Sequence, residues 1–205
     1  MKAKLLIATH NRDKFEEISM FFVGLSMEII SLNDLGINTT VDEKGNTFEE
    51  NAILKANAYS KESGLLTLAD DSGLEVGALG GEPGIYSARY AGENASDEDR
   101  TALLLTKLKH IPINLRVCRF RCALAVSLPD ALVNVFTGEC QGRVTMKPLG
   151  FNGFGYDPVF LIPELGKTMA QVSSEQKNVI SHRGKACHNA RASFLEGNHK
   201  EVLYY

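Results

Sequence analysis

Two adjacent carboxylates, Asp70 and Asp71, precede Ser72 and Gly73 and lie between two short apolar runs, residues 65–69 and 74–76. The runs read as strand. The Asp-Asp-Ser-Gly residues between them permit a tight turn or a close approach of ligand to backbone at Gly73; taken alone they favour the turn, because all three types are turn formers, and the stretches below favour a site. Neighbouring side chains at a strand end point to different sides, so one carboxylate can face a cleft while the other anchors the loop. Oxygens placed this way suit Mg²⁺, which binds through one or two carboxylates plus substrate phosphates.

Other stretches carry matching chemistry. Thr9, Asn11 and Lys14 cluster where an apolar run passes into a helical pattern. Such a junction collects anions, because the N–H groups of a helix N-terminus and its dipole favour negative charge. Asn51 and Lys55 are i,i+4 neighbours on one helix face, and the polar loop before that helix carries Glu43. Phe151-Asn152-Gly153-Phe154-Gly155-Tyr156-Asp157-Pro158 can offer a ring to stack on a base and a carboxylate to hydrogen-bond it. His182 and Arg183 fall in the first turn of a final helix, where the dipole disfavours cations. That placement suits an anion or a carbonyl-rich base, and Lys177 lies just upstream. Gly166-Lys167-Thr168 imitates the tail of a P-loop, but that pattern needs Gly where the chain has Leu161, and Pro163 breaks the loop.

The elements that must position these residues follow from periodicity and caps. Residues 4–8 and 27–30 read as strands, and a helix from Asn11 to about Val23 ends at Gly24. Thr47 with Glu50 forms a capping box for a helix running to Ser63, closed by Gly64. Residues 80–90 form a glycine-rich loop, and Ser96 starts a helix with Leu103, Leu104 and Leu108 on its apolar face. Residues 117–128 give the clearest alternation, turned back at Pro129-Asp130 into 132–136, with 142–146 as a possible continuation. This hairpin argues against a purely parallel sheet. Ser181 caps a last helix to about Glu196, with Gly197 after it.

The chain has 205 residues, 44% hydrophobic and 23% charged, with a formal net charge of −3. This is ample for a real core. The charge gives no pull toward nucleic acid or an anionic membrane, so any phosphate site is local. Cys118, Cys122, Cys140 and Cys187 lack C-x-x-C spacing, which argues against zinc. No signal peptide and no membrane-spanning run is visible, so the expectation is a cytoplasmic protein with reduced thiols.

Six stretches together resemble the inosine/xanthosine triphosphate pyrophosphatase family. They are Thr9-His10-Asn11-Arg12-Asp13-Lys14, residues 47–56 (Thr47 to Ala56), Ala69-Asp70-Asp71-Ser72-Gly73-Leu74, residues 83–90 (Pro83 to Tyr90), Phe154-Gly155-Tyr156-Asp157-Pro158 and Ser181-His182-Arg183-Gly184. They occur in the family's order and span nearly the whole chain; His10 occupies a variable position of its motif, and residues 199–205 match nothing in it. The resemblance implies one two-lobed α/β domain over 1–205, with a long mixed central sheet flooring a cleft between two α/β lobes. It implies a homodimer, Mg²⁺ dependence, and hydrolysis of inosine, deoxyinosine and xanthosine triphosphates to monophosphate and pyrophosphate, cleansing the nucleotide pool. Carried over by position, Thr9, Asn11 and Lys14 hold the phosphates and Lys55 assists. Glu43 and Asp71 serve the metal, and Asp71 is the base for the attacking water, with Asp70 as the other candidate. Ser72 touches substrate, and Phe154, Gly155, Tyr156, Asp157, Lys177, His182 and Arg183 form the base pocket. Two rivals are a septum-inhibitor-type pyrophosphatase acting on modified pyrimidine nucleotides and a nucleotide sensor that binds without cleaving. The Phe154 and Ser181 stretches argue against the first, and the acids Glu43, Asp70 and Asp71 against the second.

Overall fold

A computed structural model describes residues 2–129 and 131–196. The expected turn residue Asp130, the closing Gly197 and the tail 199–205 lie outside the described residues. In chain order the elements are β1 (Ala3–Ile7), α1 (Arg12–Phe22), β2 (Met27–Ser31), α2 (Phe48–Ser63), β3 (Leu66–Val76), α3 (Asp97–Lys107), β4 (Val117–Leu128), β5 (Ala131–Val144), β6 (Phe160–Ile162), β7 (Lys167–Thr168), α4 (Ser174–Ile180) and α5 (His182–Leu195). The seven strands form one sheet in the order β2-β1-β3-β4-β5-β6-β7. β1 pairs in parallel with β2 and β3, while β6 is antiparallel to β5 and β7, so the sheet is mixed as expected.

The chain divides into two compact units. The first comprises 1–71, 122–138 and residues from 183 onward; the second comprises 72–121 and 139–182. In the first unit, Leu5, Ile7, Leu66, Leu68, Leu124 and Val126 of the strands pack with Ile18 and Phe22 of α1 and Ala186, Ala190 and Phe194 of α5. In the second, Leu74, Phe120, Val144 and Phe160 pack with Leu104 of α3 and with its C-cap residue Leu108. Each large apolar side chain buried in this way contributes about 1.5–3 kcal/mol.

The helix starts follow the local chemistry. Asn11 caps α1 by accepting from the Lys14 N–H at 3.0 Å. Ser96 and Asp99 form a complete capping box on α3. At α2 only half of the expected box forms. Thr47 Oγ1 accepts from the Glu50 N–H at 3.1 Å, but Glu50 Oε2 turns to the Asn46 N–H at 2.6 Å.

Two expectations need correction. The Asp-Asp-Ser-Gly stretch is not a turn, because β3 runs unbroken from Leu66 to Val76 through all four residues. Buried carboxylates are tolerated inside a strand when cations compensate them, and here those cations come from distant parts of the chain. The expected strand at 132–136 is longer than its pattern suggested, because β5 runs from Ala131 to Val144 and takes in the start of the 142–146 continuation. A further helix, α4, carries Lys177 on a Ser173–Gln176 capping box that the sequence reading passed over.

Candidate active site

β3 places Asp70 and Asp71 side by side in the chain, and strand alternation sends their side chains to opposite faces. Each meets its own lysine. Lys14 Nζ, from the first turn of α1, lies 3.0 Å from Asp70 Oδ2. Lys55 Nζ, from α2, lies 3.1 Å from Asp71 Oδ1 and 2.8 Å from Glu43 Oε1. Asp70 also receives Arg183 Nη2 at 3.4 Å, and Arg183 Nη1 sits 2.6 Å from Glu17 Oε2.

The electrostatics separate the two acids. Burial alone would raise the Asp70 carboxyl, but Lys14, Arg183 and Lys55 outweigh it and hold Asp70 well below the usual carboxylate range. For Asp71 burial prevails over Lys55 and Lys14, and Glu43 adds repulsion, so its carboxyl is raised. The Lys55 ammonium is nevertheless held more firmly charged than usual, against its own burial, by Asp71, Asp70 and Glu43. The two shifts are compatible because Lys55 collects three carboxylates, whereas Asp71 shares its nearest cation with Glu43. Asp70 is thereby a poor proton acceptor and Asp71 the better one.

Glu43 and Asp71 also bear on the metal. Among the described residues no three His, Cys, Asp or Glu side chains form a metal-holding group. What Glu43 and Asp71 offer is a pair of carboxylates already sharing one cation, the Lys55 ammonium. Two carboxylate donors, with substrate phosphates completing the shell, fit Mg²⁺ or Mn²⁺ and not zinc.

Thr9 Oγ1 accepts from the Asn11 N–H at 3.2 Å, so Thr9 and Asn11 brace the turn leading into α1. Ser72 follows Asp71 and is half-buried.

A second group of the expected residues is built on the 150–160 loop. Asp157 Oδ2 accepts from the Phe154 N–H at 3.0 Å and from Lys177 Nζ at 2.5 Å. The Lys177 ammonium lies 4.8 Å from the centre of the Phe154 ring, a cation–π distance. Gly153 makes the fold-back possible. Its φ is +73°, and a Cβ there would stand 2.1 Å from Asp157 Oδ2. The Gly155 N–H donates to Asp97 Oδ2 at 2.6 Å, and the Tyr156 hydroxyl donates to the Ser87 carbonyl at 2.9 Å. His182 is buried and stacks on Phe120 with ring centres 4.7 Å apart.

Within the first unit the structure groups Lys14, Lys55, Glu43 and Asp71; within the second it groups Phe154, Asp157 and Lys177. Arg183, expected beside His182 in the base pocket, has its guanidinium engaged by Asp70 and Glu17 and is only 3% exposed. Sequence reasoning missed Glu17, although it stands three residues from Lys14 on the same helix face. It noticed Asn51 without giving it a role; Asn51 Nδ2 donates to Asp71 Oδ2 at 3.2 Å. Nothing in the sequence marked Asp97 or Phe120.

A mixed-sheet α/β protein with a helix N-terminus, paired lysines and a carboxyl raised by burial is of the class that handles phosphate esters and anhydrides. The chain belongs to the Ham1 family, whose model matches residues 5–193. It is 48% identical to the dITP/XTP pyrophosphatase of Geobacter sulfurreducens over 183 residues, which is 89% of this chain and 92% of that one. It is 47% identical to the dITP/XTP pyrophosphatase of Staphylococcus aureus strain MW2 over 195 residues, covering 95% and 97%. Among solved structures it resembles the Staphylococcus aureus Ham1 protein, with TM-score 0.84, 47% identity and coverage of 95% and 98%. It also resembles a HAM1 protein from Coxiella burnetii, with TM-score 0.86, 36% identity and coverage of 95% and 99%.

Proposed function

We propose that this protein hydrolyses inosine, deoxyinosine and xanthosine triphosphates to the monophosphate and pyrophosphate, removing aberrant purines from the nucleotide pool. The observation that carries the reading is Asp71, a carboxyl raised by burial above its ordinary value and joined to Glu43 through the Lys55 ammonium. The names of the curated relatives support the substrate class.

In this reading water attacks the α-phosphorus and pyrophosphate departs. Asp71 accepts the proton of the attacking water. Lys14 and Lys55 offset charge gathering on the phosphate oxygens. Thr9 and Asn11 shape the helix N-terminus that receives the triphosphate, and Ser72 contributes a hydroxyl beside Asp71. Glu43 and Asp71 would hold Mg²⁺, which when bound supplies Lewis-acid neutralisation of the phosphate oxygens. Phe154 stacks on the base, and Asp157, Lys177 and His182 read its edge; Gly155 and Tyr156 tie the loop down through Asp97 and the Ser87 carbonyl. Arg183 serves by fixing Asp70 and Glu17. The same reading takes the enzyme as a cytoplasmic homodimer without nucleic-acid or membrane partners. Among the described residues no helix is long and apolar enough to cross a membrane.

The test is product analysis with each triphosphate in turn and Mg²⁺ present. The expected products are monophosphate and pyrophosphate from inosine and xanthosine triphosphates, with little from ATP. Release of orthophosphate and a diphosphate, or turnover of ATP as fast as of inosine triphosphate, would overturn the assignment.

A further inference from the structure

Residues 39–45 carry Glu43 and adopt no regular structure. Their polar contacts with α2 come in a fixed order. Thr39 Oγ1 donates to Glu62 Oε2 at 2.7 Å, and the Tyr59 hydroxyl donates to the Thr39 carbonyl at 2.9 Å. Lys55 Nζ donates to Glu43 Oε1 at 2.8 Å, and the Gly45 N–H donates to Asn51 Oδ1 at 2.8 Å. As the segment advances from 39 to 45, its partners on the helix run back from 62 to 51. Those partners are spaced by three, four and four, which puts them on one helix face. The segment is laced antiparallel along α2, and the Thr39 carbonyl is held additionally by His10 Nε2 at 2.9 Å.

The last rung reaches further than the others. Asn51 accepts from Gly45 with Oδ1 and donates to Asp71 Oδ2 with Nδ2 at 3.2 Å. Lys55 spans the same gap, from Glu43 to Asp71 Oδ1. One turn of α2 thus grips both oxygens of Asp71 and, through the same two side chains, the segment bearing Glu43. Asn51 is 0% exposed, so water cannot stand in for either bond. The rung closes only on glycine, because a Cβ at position 45 would lie 2.6 Å from Asn51 Oδ1 and 2.7 Å from Glu50 Cβ.

We propose that Asn51, closing on Gly45, is a positioning residue that sets the register of the Glu43 segment against Asp71. A primary amide is required because the rung needs an acceptor for an N–H and a donor for a carboxylate. Leucine has similar bulk and supplies neither. The role rests on the pyrophosphatase reading for its catalytic consequence, but the lacing itself can be tested without turnover.

The experiment compares the wild type, Asn51→Leu, Gly45→Ala and the double variant. Release of pyrophosphate from inosine triphosphate with Mg²⁺ gives kcat and KM, and binding of Mn²⁺ alone, by water proton relaxation, gives a readout independent of activity. Each single variant should lower kcat and weaken Mn²⁺ binding by about 10- to 100-fold, the usual cost of losing an outer partner of a metal ligand. KM for inosine triphosphate should change little. The double variant should be no worse than the more damaged single one, because both remove one rung. Wild-type Mn²⁺ affinity and kcat in both singles would overturn the proposal, as would a double variant showing the product of the two single losses. Should Asn51→Leu fail to fold, Gly45→Ala decides, since position 45 lies in a partly exposed loop. A wild type that binds Mn²⁺ but releases no pyrophosphate would count against the pyrophosphatase reading; the Mn²⁺ arm would still decide the lacing.

Discussion

Asp70 and Asp71 are consecutive residues of one strand, yet cations hold Asp70 ionised while burial raises Asp71. The difference lies in the number of cations each can claim. Lys14 and Arg183 both reach Asp70, whereas Asp71 shares Lys55 with Glu43. Adjacent carboxylates with divergent environments take divergent roles, so substitutions at the two positions should fail in different ways.

Asp71→Asn should keep the fold and lose turnover. The amide preserves shape and keeps one oxygen, enough for Lys55 or Asn51 but not for both, and it is not a base. Loss of a general base typically costs about 10²–10⁴ in rate. Steady-state kinetics beside a thermal melt checks this, and activity within a few-fold of wild type would move the role elsewhere.

The same variant should be more stable than wild type at neutral pH in metal-free buffer. A carboxyl raised by folding binds its proton more tightly in the native state than in the unfolded one, where the value is about 3.9. Its ionisation therefore costs stability above the native value, and the cost disappears as pH falls toward the unfolded one. Melting temperatures of both proteins across that range should converge at the acidic end.

Asp70→Asn should instead destabilise. It would leave Lys14 and the buried Arg183 short of a counter-charge, and breaking a buried pair from one side costs about 3–5 kcal/mol. Because Asp70 is lowered in the folded protein, its stabilisation is present above the unfolded value and is lost as pH falls through the native one. Arg183→Ala should show a comparable loss, by stranding Asp70 and Glu17. Denaturant midpoints measure both, and an unchanged midpoint would contradict the buried network.

Chelation should abolish turnover, and Mg²⁺ or Mn²⁺ should restore it better than Zn²⁺, given a donor set of carboxylates alone. Full activity after exhaustive chelation would remove the metal from the reaction.

Asp157→Asn should narrow the preference for inosine triphosphate over ATP. Its carboxylate fixes both Lys177 and the Phe154 backbone. Hypoxanthine presents a 6-keto acceptor beside an N1–H donor, and adenine reverses that pattern. Polar groups left unpaired by a wrong substrate can give rejection of about 10⁴–10⁵. The ratio of kcat/KM values for the two triphosphates, in wild type and variant, reads the effect directly. An unchanged ratio would place base reading elsewhere.

Much of this architecture could be read from local chemistry. Asn11, Thr47 and Ser96 announced their helices because a cap acts within four residues. β4 was legible because Cys118, Phe120 and Cys122 alternate with Arg119 and Arg121, before the strand becomes buried at every residue from Cys122 to Ser127. The centre of β3 was not, because Asp-Asp-Ser-Gly carries a turn's local signature. The cations that let it remain strand come from positions 14, 55 and 183, and no window around residue 70 contains them. The partners of Arg183 were hidden for the same reason. Its place in a first helical turn suggested an anion, and the two that pair with it, Glu17 and Asp70, are distant in sequence. The Phe154 loop was legible as a site through its glycines, but not the Asp97 that ties Gly155, since nothing near residue 155 points to residue 97.

The Asp70–Arg183 contact spans 113 residues, and α5, which begins beside Arg183, completes the core that β1 and α1 begin. A ribosome delivers the chain from the other end. Until α5 emerges, β3 must wait with a carboxylate that lacks part of its counter-charge and with apolar strand faces lacking their last helix. The second unit, by contrast, is finished by residue 182. Vectorial synthesis should therefore yield a nascent chain whose second unit is complete while the first, begun earlier, still waits for its last helix, the reverse of the usual order. A chain cut ahead of Arg183 should expose the strands of the first unit to proteases and chaperones, although every residue assigned to the chemistry except Arg183 has already been made.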